Sequence, residues 1–163
     1  MITYESALLI GVITMVGYIV YALLSKRGVK RTVITCFFIL YLTGVAVITL
    51  FPIIIDDPVV YSDTVTWYNL IPFRTITGAL QNGSTPTALT QIVGNILLAV
   101  PFGVIVPILF PGTHRWQKLL LALLFPLTIE LSQMIIGLII GNMYRNVDID
   151  DVILNTLGVF LGY

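Results

Sequence analysis

Long uncharged runs separated by short charged turns dominate the chain. The runs from Ser6 to Lys26 and from Thr32 to Asp56 are each long enough for a helix, which needs about 20 residues to cross a bilayer core of roughly 30 Å. Leu89 to Leu109 predicts a third span and Leu119 to Ile140 a fourth. A fifth apolar segment follows Asp151 and runs to Tyr163; at 1.5 Å per residue it reaches only about 18 Å. It is expected either to lack a C-terminal tail or to insert from one face and end near the middle of the membrane. In the loop before the third span, Ile76, Ala79 and Leu80 share one face between Thr75 and Asn82, which predicts a short surface helix. The pattern predicts an all-α fold: a polytopic transmembrane helical bundle of four full spans plus a short or truncated fifth, one domain over residues 1–163.

Composition agrees. Of 163 residues, 58% are hydrophobic and only 10% charged, far from the quarter-charged balance of a soluble domain. The first run is not a cleaved signal peptide, since Met1 to Ser6 carries no basic residue and no small-x-small site follows, so it is expected to stay in the mature protein. Net charge is zero, and its distribution sets an expected orientation. Lys26, Arg27, Lys30 and Arg31 fill the turn between the first two spans, and Arg115 and Lys118 the turn between the third and fourth; the positive-inside rule puts both turns in the cytoplasm. The N-terminus and the loops carrying Asp56, Asp57, Asp63, Asp148, Asp150 and Asp151 are then expected outside. No basic patch of nucleic-acid type is present, and the single cysteine, Cys36, allows neither an intramolecular disulfide nor a cysteine metal cluster.

Glu130 is the one charged residue between Leu119 and Tyr144. Charge inside hydrocarbon costs roughly 2.5–3.5 kcal/mol on insertion scales, so such residues usually face a protein interior or a watery cavity. Counting from the span edges, Gln91 lies about 3 Å below the outer edge, Asn155 about 6 Å, Asn95 and Gln133 about 9 Å and Glu130 about 14 Å. Pro101 and Pro126, each of which removes a helix hydrogen bond, fall just inward of the midplane. Kinks at matched depth would splay the outer halves into an outward crevice lined by these five polar residues; the bland alternative is helix-to-helix glue. Gly158 and Gly162 continue the Asp151 and Asn155 stripe and read as close-packing contacts.

Arg145, Asp148, Asp150 and Asp151 stand at the expected mouth of the crevice. One aspartate suffices to cap the last helix; three fit a divalent cation or an amine, since hard cations take several carboxylate oxygens. The segment from Trp67 to Arg74 is too apolar for a solvated turn and too short to span, so it is expected in the interface or dipping into the crevice. Its Arg74 is placed to reach a lipid phosphate or Glu130.

The pieces NLIPF at Asn69 to Phe73, GNILLAVPFGVIVP at Gly94 to Pro107, IELSQ at Ile129 to Gln133 and R-x-x-D-I-D-D-V-I-L-N-T-L-G from Arg145 to Gly158 occur in that order. From residue 69 onward the chain thereby resembles the VanZ-like family, named for the glycopeptide-resistance accessory protein. The resemblance implies a bacterial plasma-membrane protein associated with resistance to teicoplanin, the lipid-tailed glycopeptide. It carries over the motif positions Asn69, Pro72, Phe73, Asn95, Pro101, Phe102, Glu130, Gln133, Arg145, Asp148, Asp150, Asp151 and Asn155, but no biochemical activity.

The leading expectation is a binding protein whose crevice takes a lipid headgroup or a lipid-tailed glycopeptide, with Asn69, Phe73, Arg74, Gln91, Asn95, Glu130, Gln133, Arg145, Asp148, Asp150, Asp151 and Asn155 as its ligand-binding residues. No cofactor is expected beyond a divalent cation at Asp148, Asp150 and Asp151. The alternative is an intramembrane hydrolase or transferase on a lipid-linked substrate, with Glu130 as general acid or base. Against it, the lone His114 sits on the cytoplasmic side and no G-x-S-x-G motif occurs. A small transporter or a scaffold subunit is the third reading; transport is disfavoured by the lack of inverted repeats.

Overall fold

The computed structural model describes residues 3–53, 67–81, 85–141 and 143–163. Within them the chain forms α1 (Tyr4–Leu24), α2 (Val29–Leu50), β1 (Tyr68–Asn69), α3 (Arg74–Gln81), α4 (Thr85–Leu109), α5 (Arg115–Ile140), β2 (Val147–Asp148) and α6 (Ile149–Gly162). The loop aspartates Asp56, Asp57 and Asp63 lie outside the described residues.

α1, α2, α5 and the Leu89–Leu109 part of α4 are long and apolar enough to cross a membrane, with mean hydropathy between 2.0 and 2.4. They are the four spans expected from the sequence. α2 stops well short of Asp56, at Leu50, because Pro52 forces the preceding Phe51 into extended backbone (φ −111°, ψ 155°). The apolar side chains that α1 leaves exposed, among them Leu9, Ile13 and Leu23, have lipid rather than protein as their natural neighbour. α1 packs on α2, where Gly11 admits Thr43: a Cβ at Gly11 would lie 2.4 Å from the Thr43 hydroxyl oxygen.

α2 and α5 run parallel: Tyr41 stacks on Phe125, and eight residues further along each helix the Thr49 carbonyl accepts from Gln133 at 3.0 Å. The basic residues at their starts therefore share one end of the bundle, the basic end.

α6 departs from expectation. It runs antiparallel to α5 through three tie points: the Asp148 N–H to Glu130, the Thr156 hydroxyl to the Ala122 carbonyl, and the Tyr163 hydroxyl to the Lys118 carbonyl. The helix does not enter from the far face and stop at the middle. It starts beside Glu130, about 18 Å along α5 from Lys118, and ends level with the basic end. With Lys118 taken as one edge of a core of roughly 30 Å, its first turn lies about 12 Å short of the far edge, so the loop ahead of it folds back into the bundle. Non-helical backbone is tolerated at that depth only where protein or a wet cavity covers it.

Glycines set how closely α6 approaches α4. A Cβ on Gly158 would lie 2.2 Å from the Ile96 carbonyl oxygen, one on Gly162 2.2 Å from that of Val100, and one on Gly103 2.1 Å from that of Val159. Small residues let membrane helices touch backbone to backbone, where dispersion is strongest. Ala99, Ala122 and Val159 are buried at the centre, against Phe102 and Phe125 stacked at 4.2 Å between centroids. Both α4 and α5 continue through their prolines. Pro126 frees the Ala122 carbonyl, which accepts the Thr156 hydroxyl at 3.3 Å. One residue beyond the Leu97 carbonyl freed by Pro101, that of Leu98 accepts the Tyr41 hydroxyl at 2.8 Å.

Candidate functional site

The re-entrant loop is built first from its backbone. β1 and β2 pair in parallel, Tyr68 opposite Val147 and Asn69 opposite Asp148. Two residues a side give too few ladder bonds to hold such a loop, and buried carboxylates supply the rest. Asp150, 0% exposed, accepts the main-chain N–H groups of Phe73, Thr75 and Ile76. These are the donors a helix start leaves unsatisfied, so Asp150 caps α3 from another segment. The same contact holds Phe73 in the left-handed conformation (φ 65°), which a bulky residue adopts only where its surroundings impose it.

Asp148 is equally committed. Its carboxylate accepts the Asp150 N–H as the N-cap of α6, and also the Asn69 amide and the Thr75 hydroxyl. Its own N–H donates to Glu130 Oε2 at 2.9 Å. With the polar backbone tied inward, Leu70, Ile71 and Phe73 are left exposed around the loop, as suits a segment in contact with acyl chains.

The end of α2 is satisfied in the same way. Gln133 donates to the Thr49 carbonyl, Tyr144 to that of Leu50, and Arg145 to those of Ile48 and Phe51. A cation is favoured at a helix C-terminus, where the dipole is negative and the last carbonyls lack partners. Arg145 thus spends hydrogen bonds on α2 rather than standing free at a mouth. Thr49, Thr75 and Tyr144 were not singled out in the sequence; their partners are backbone groups or residues distant in the chain, which leave no local signal.

Above these ties lies a cavity of about 680 Å³ between α2, α4, α5 and α6. Gln91, Asn95, Glu130, Gln133, Arg145, Asp151 and Asn155 all line it, so the structure brings seven of the twelve expected ligand-binding residues around one space. Glu130 is 5% exposed and Asn155 3%. Asn95 on α4 donates to Asp151 on α6 at 2.6 Å, and the Asn155 amide donates back to the Asp151 carbonyl at 2.8 Å. Asn155 Oδ1 is buried with no hydrogen-bond partner among the described residues.

Asn69, Arg74 and Asp148 border a second cavity of about 450 Å³, which shares Gln91 and Asp151 with the first. Arg74 belongs to this second space and does not line the first, whereas Glu130 lines the first and not the second. Asp150 and Phe73 border neither; what they contribute is the cap on α3. Among the described residues no group of three His, Cys, Asp or Glu side chains is arranged to hold a metal ion. The three aspartates diverge: Asp148 turns to Asn69 and Thr75, Asp150 to the start of α3, and Asp151 to Asn95.

Fold and site together define a multi-pass helical membrane protein with a carboxylate-braced re-entrant loop and a polar cavity in its bundle. The chain belongs to the VanZ-like family: the family model described as VanZ/LLP1 matches residues 38–163. No curated protein and no solved structure matches the chain. The match begins inside α2, earlier than the motifs from residue 69 on indicate. The bonds from Gln133, Tyr144 and Arg145 to the end of α2 explain why that helix belongs to the unit.

Proposed function

We propose that this VanZ-like protein contributes to glycopeptide resistance from the bacterial plasma membrane by binding a lipid headgroup or lipid-tailed amphiphile in the cavity between α2, α4, α5 and α6. The observation that carries the reading is a space of about 680 Å³, within the range of roughly 300–1,000 Å³ typical of small-molecule sites. It combines the polar wall of Asn95, Glu130, Asp151 and Asn155 with the apolar wall of Leu97, Leu98 and Ile129. With the Lys26 to Arg31 turn in the cytoplasm, as the positive-inside rule favours, the Glu130 and Gln133 part of the cavity wall lies in the outer half of the bilayer. A lipid-tailed drug concentrates there because each buried methylene contributes about 0.8 kcal/mol.

The reading is tested by expressing the chain in a susceptible Gram-positive host and comparing inhibitory concentrations for teicoplanin and for the same compound stripped of its acyl chain. Protection is expected against the acylated form and not the stripped one. Equal protection against both contradicts a mechanism based in the leaflet.

One observation favours an intramembrane hydrolase or transferase as the second reading: Glu130 and Asp151, two carboxyl groups, border the same cavity, and paired carboxyls serve acid–base chemistry. Turnover of a co-purified lipid over hours would select it; an unchanged lipid selects binding.

A further inference from the structure

Donors and acceptors around the larger cavity are unevenly spent. The side-chain nitrogens of Asn95, Gln133 and Asn155 and one nitrogen of Arg145 each donate within the protein: to Asp151 Oδ1, the Thr49 carbonyl, the Asp151 carbonyl and the end of α2. The oxygens on the same wall keep accepting capacity. Asn155 Oδ1, in a residue 3% exposed, is buried without a partner among the described residues. Glu130 accepts one main-chain N–H on Oε2 among the described residues. Asp151 adds a second carboxyl group to the same wall. Such a wall selects a ligand that brings its own N–H donors and a positive charge, because hydrogen bonds to ionised oxygens are about twice as strong as neutral ones. An anionic group would instead meet two carboxylates, while Arg145 is already engaged by the negative end of α2.

The shape supplies the other half of the ligand. The polar cavity shares Thr49 and Ile129 with an apolar groove of about 310 Å³ between α2 and α5, whose lining includes Val45, Phe102, Leu121 and Phe125. Along α5 the groove extends from Ser132 to Leu121, roughly 16 Å at 1.5 Å per residue. Its direction is from the depth of Glu130 across the middle of the bundle toward the basic end.

We propose that the cavity receives the protonated primary amine of a lipid-tailed molecule whose acyl chain lies in the α2–α5 groove, reached sideways from the bilayer. This rests on the amphiphile reading above and specifies the chemistry of the head. The ammonium presents three N–H donors to Glu130, Asp151 and Asn155. The two carboxylates also offset the cost of taking a cation out of water, which a neutral pocket would leave uncompensated.

The test uses the purified full chain in micelles supplemented with equimolar dioleoyl phosphatidylethanolamine, phosphatidylcholine and phosphatidylglycerol, with bound lipid read by native mass spectrometry. A primary amine, a quaternary amine without N–H donors and an anion are thereby compared on identical tails. Retention of phosphatidylethanolamine over both competitors by about tenfold or more is expected, with the preference falling in Asp151→Asn. Because Asp151 also ties Asn95 and Asn155 together, the wild-type comparison, which needs no variant, decides.

Phosphatidylcholine retained as well as phosphatidylethanolamine, or phosphatidylglycerol preferred, overturns the amine assignment. Displacement of the lipid by millimolar ethanolamine alone overturns the tailed ligand in favour of a soluble amine. Failure of the broader reading looks different: no lipid is retained, or retention is indifferent to Gly94→Phe, which fills the cavity from α4. Retention that Gly94→Phe abolishes, without an amine preference, sinks only the present inference.

Discussion

The main-chain N–H of Asp148 donates to Oε2 of Glu130 across 2.9 Å, so the one carboxyl group in an otherwise uncharged span is fastened to the loop that starts α6. Glu130 therefore has a structural duty as well as a place on the cavity wall. Glutamine keeps an acceptor oxygen for that N–H and alanine does not. Glu130→Ala is expected to lose about 1–3 kcal/mol, the cost of a buried unsatisfied donor, and Glu130→Gln much less. Thermal unfolding of both variants in detergent checks the difference; equal midpoints would mean that the Asp148 bond contributes nothing.

Asp150 holds three main-chain N–H groups at the start of α3. Asp150→Ala is expected to release Phe73 from its left-handed conformation and to speed amide exchange at Phe73, Thr75 and Ile76 by at least about tenfold, the rate equivalent of roughly 1.4 kcal/mol. Exchange in α1, which lies away from the loop, should not change. Unaltered exchange at residues 73–76 would show that α3 does not depend on its distant cap.

Gly158 and Gly94 make opposite predictions. A Cβ at Gly158 meets the Ile96 carbonyl oxygen at 2.2 Å, while one at Gly94 meets nothing within 4 Å. Gly158→Ala should force α6 off α4 and lower the unfolding midpoint sharply. Gly94→Ala should be neutral or mildly stabilising, since alanine is favoured over glycine inside a helix by about 1 kcal/mol.

Thr156 and Pro126 should be coupled. The Thr156 hydroxyl donates to the carbonyl that Pro126 leaves free, and such a bond is worth about 0.6 kcal/mol in membrane bundles. Thr156→Val is expected to cost about that much in the native background and less in Pro126→Ala, where the helix satisfies Ala122 itself. A double-mutant cycle measures the coupling, and strict additivity would show that the two residues act independently.

The four spans were legible because a run of apolar residues of bilayer length has few alternative explanations. The grouping of Gln91, Asn95, Glu130 and Gln133 was legible too, because depth along a helix follows from residue count alone; Asn155 joins them from a helix that starts deeper than counting from Asp151 placed it. What counting missed is where neither period nor depth gives a signal. The pairing of Asn69 with Asp148 joins segments far apart in sequence, and the partners of Gln133, Tyr144 and Arg145 are carbonyls, which every residue carries. α6 was misplaced for the same reason: a short apolar helix shows its length, but not that the loop before it descends to meet Glu130. Gly158 and Gly162 were read as packing contacts and do pack on α4, whereas Gly103 opposite them lay inside the Gly94 to Pro107 motif without being singled out.

The central claim is that the cavity beside Glu130 and Asn155 holds an amphiphile, and occupancy is its most direct measure. Native mass spectrometry of wild type and Gly94→Phe, each extracted with the lipids it carries, separates the cavity from the general lipid annulus, because the substitution fills the space from a position where a side chain meets no neighbour. The account predicts a lipid-sized adduct that survives on wild type after annular lipid is stripped and is absent from a stably folded Gly94→Phe. Equal adducts on both proteins, or none on wild type, would contradict it.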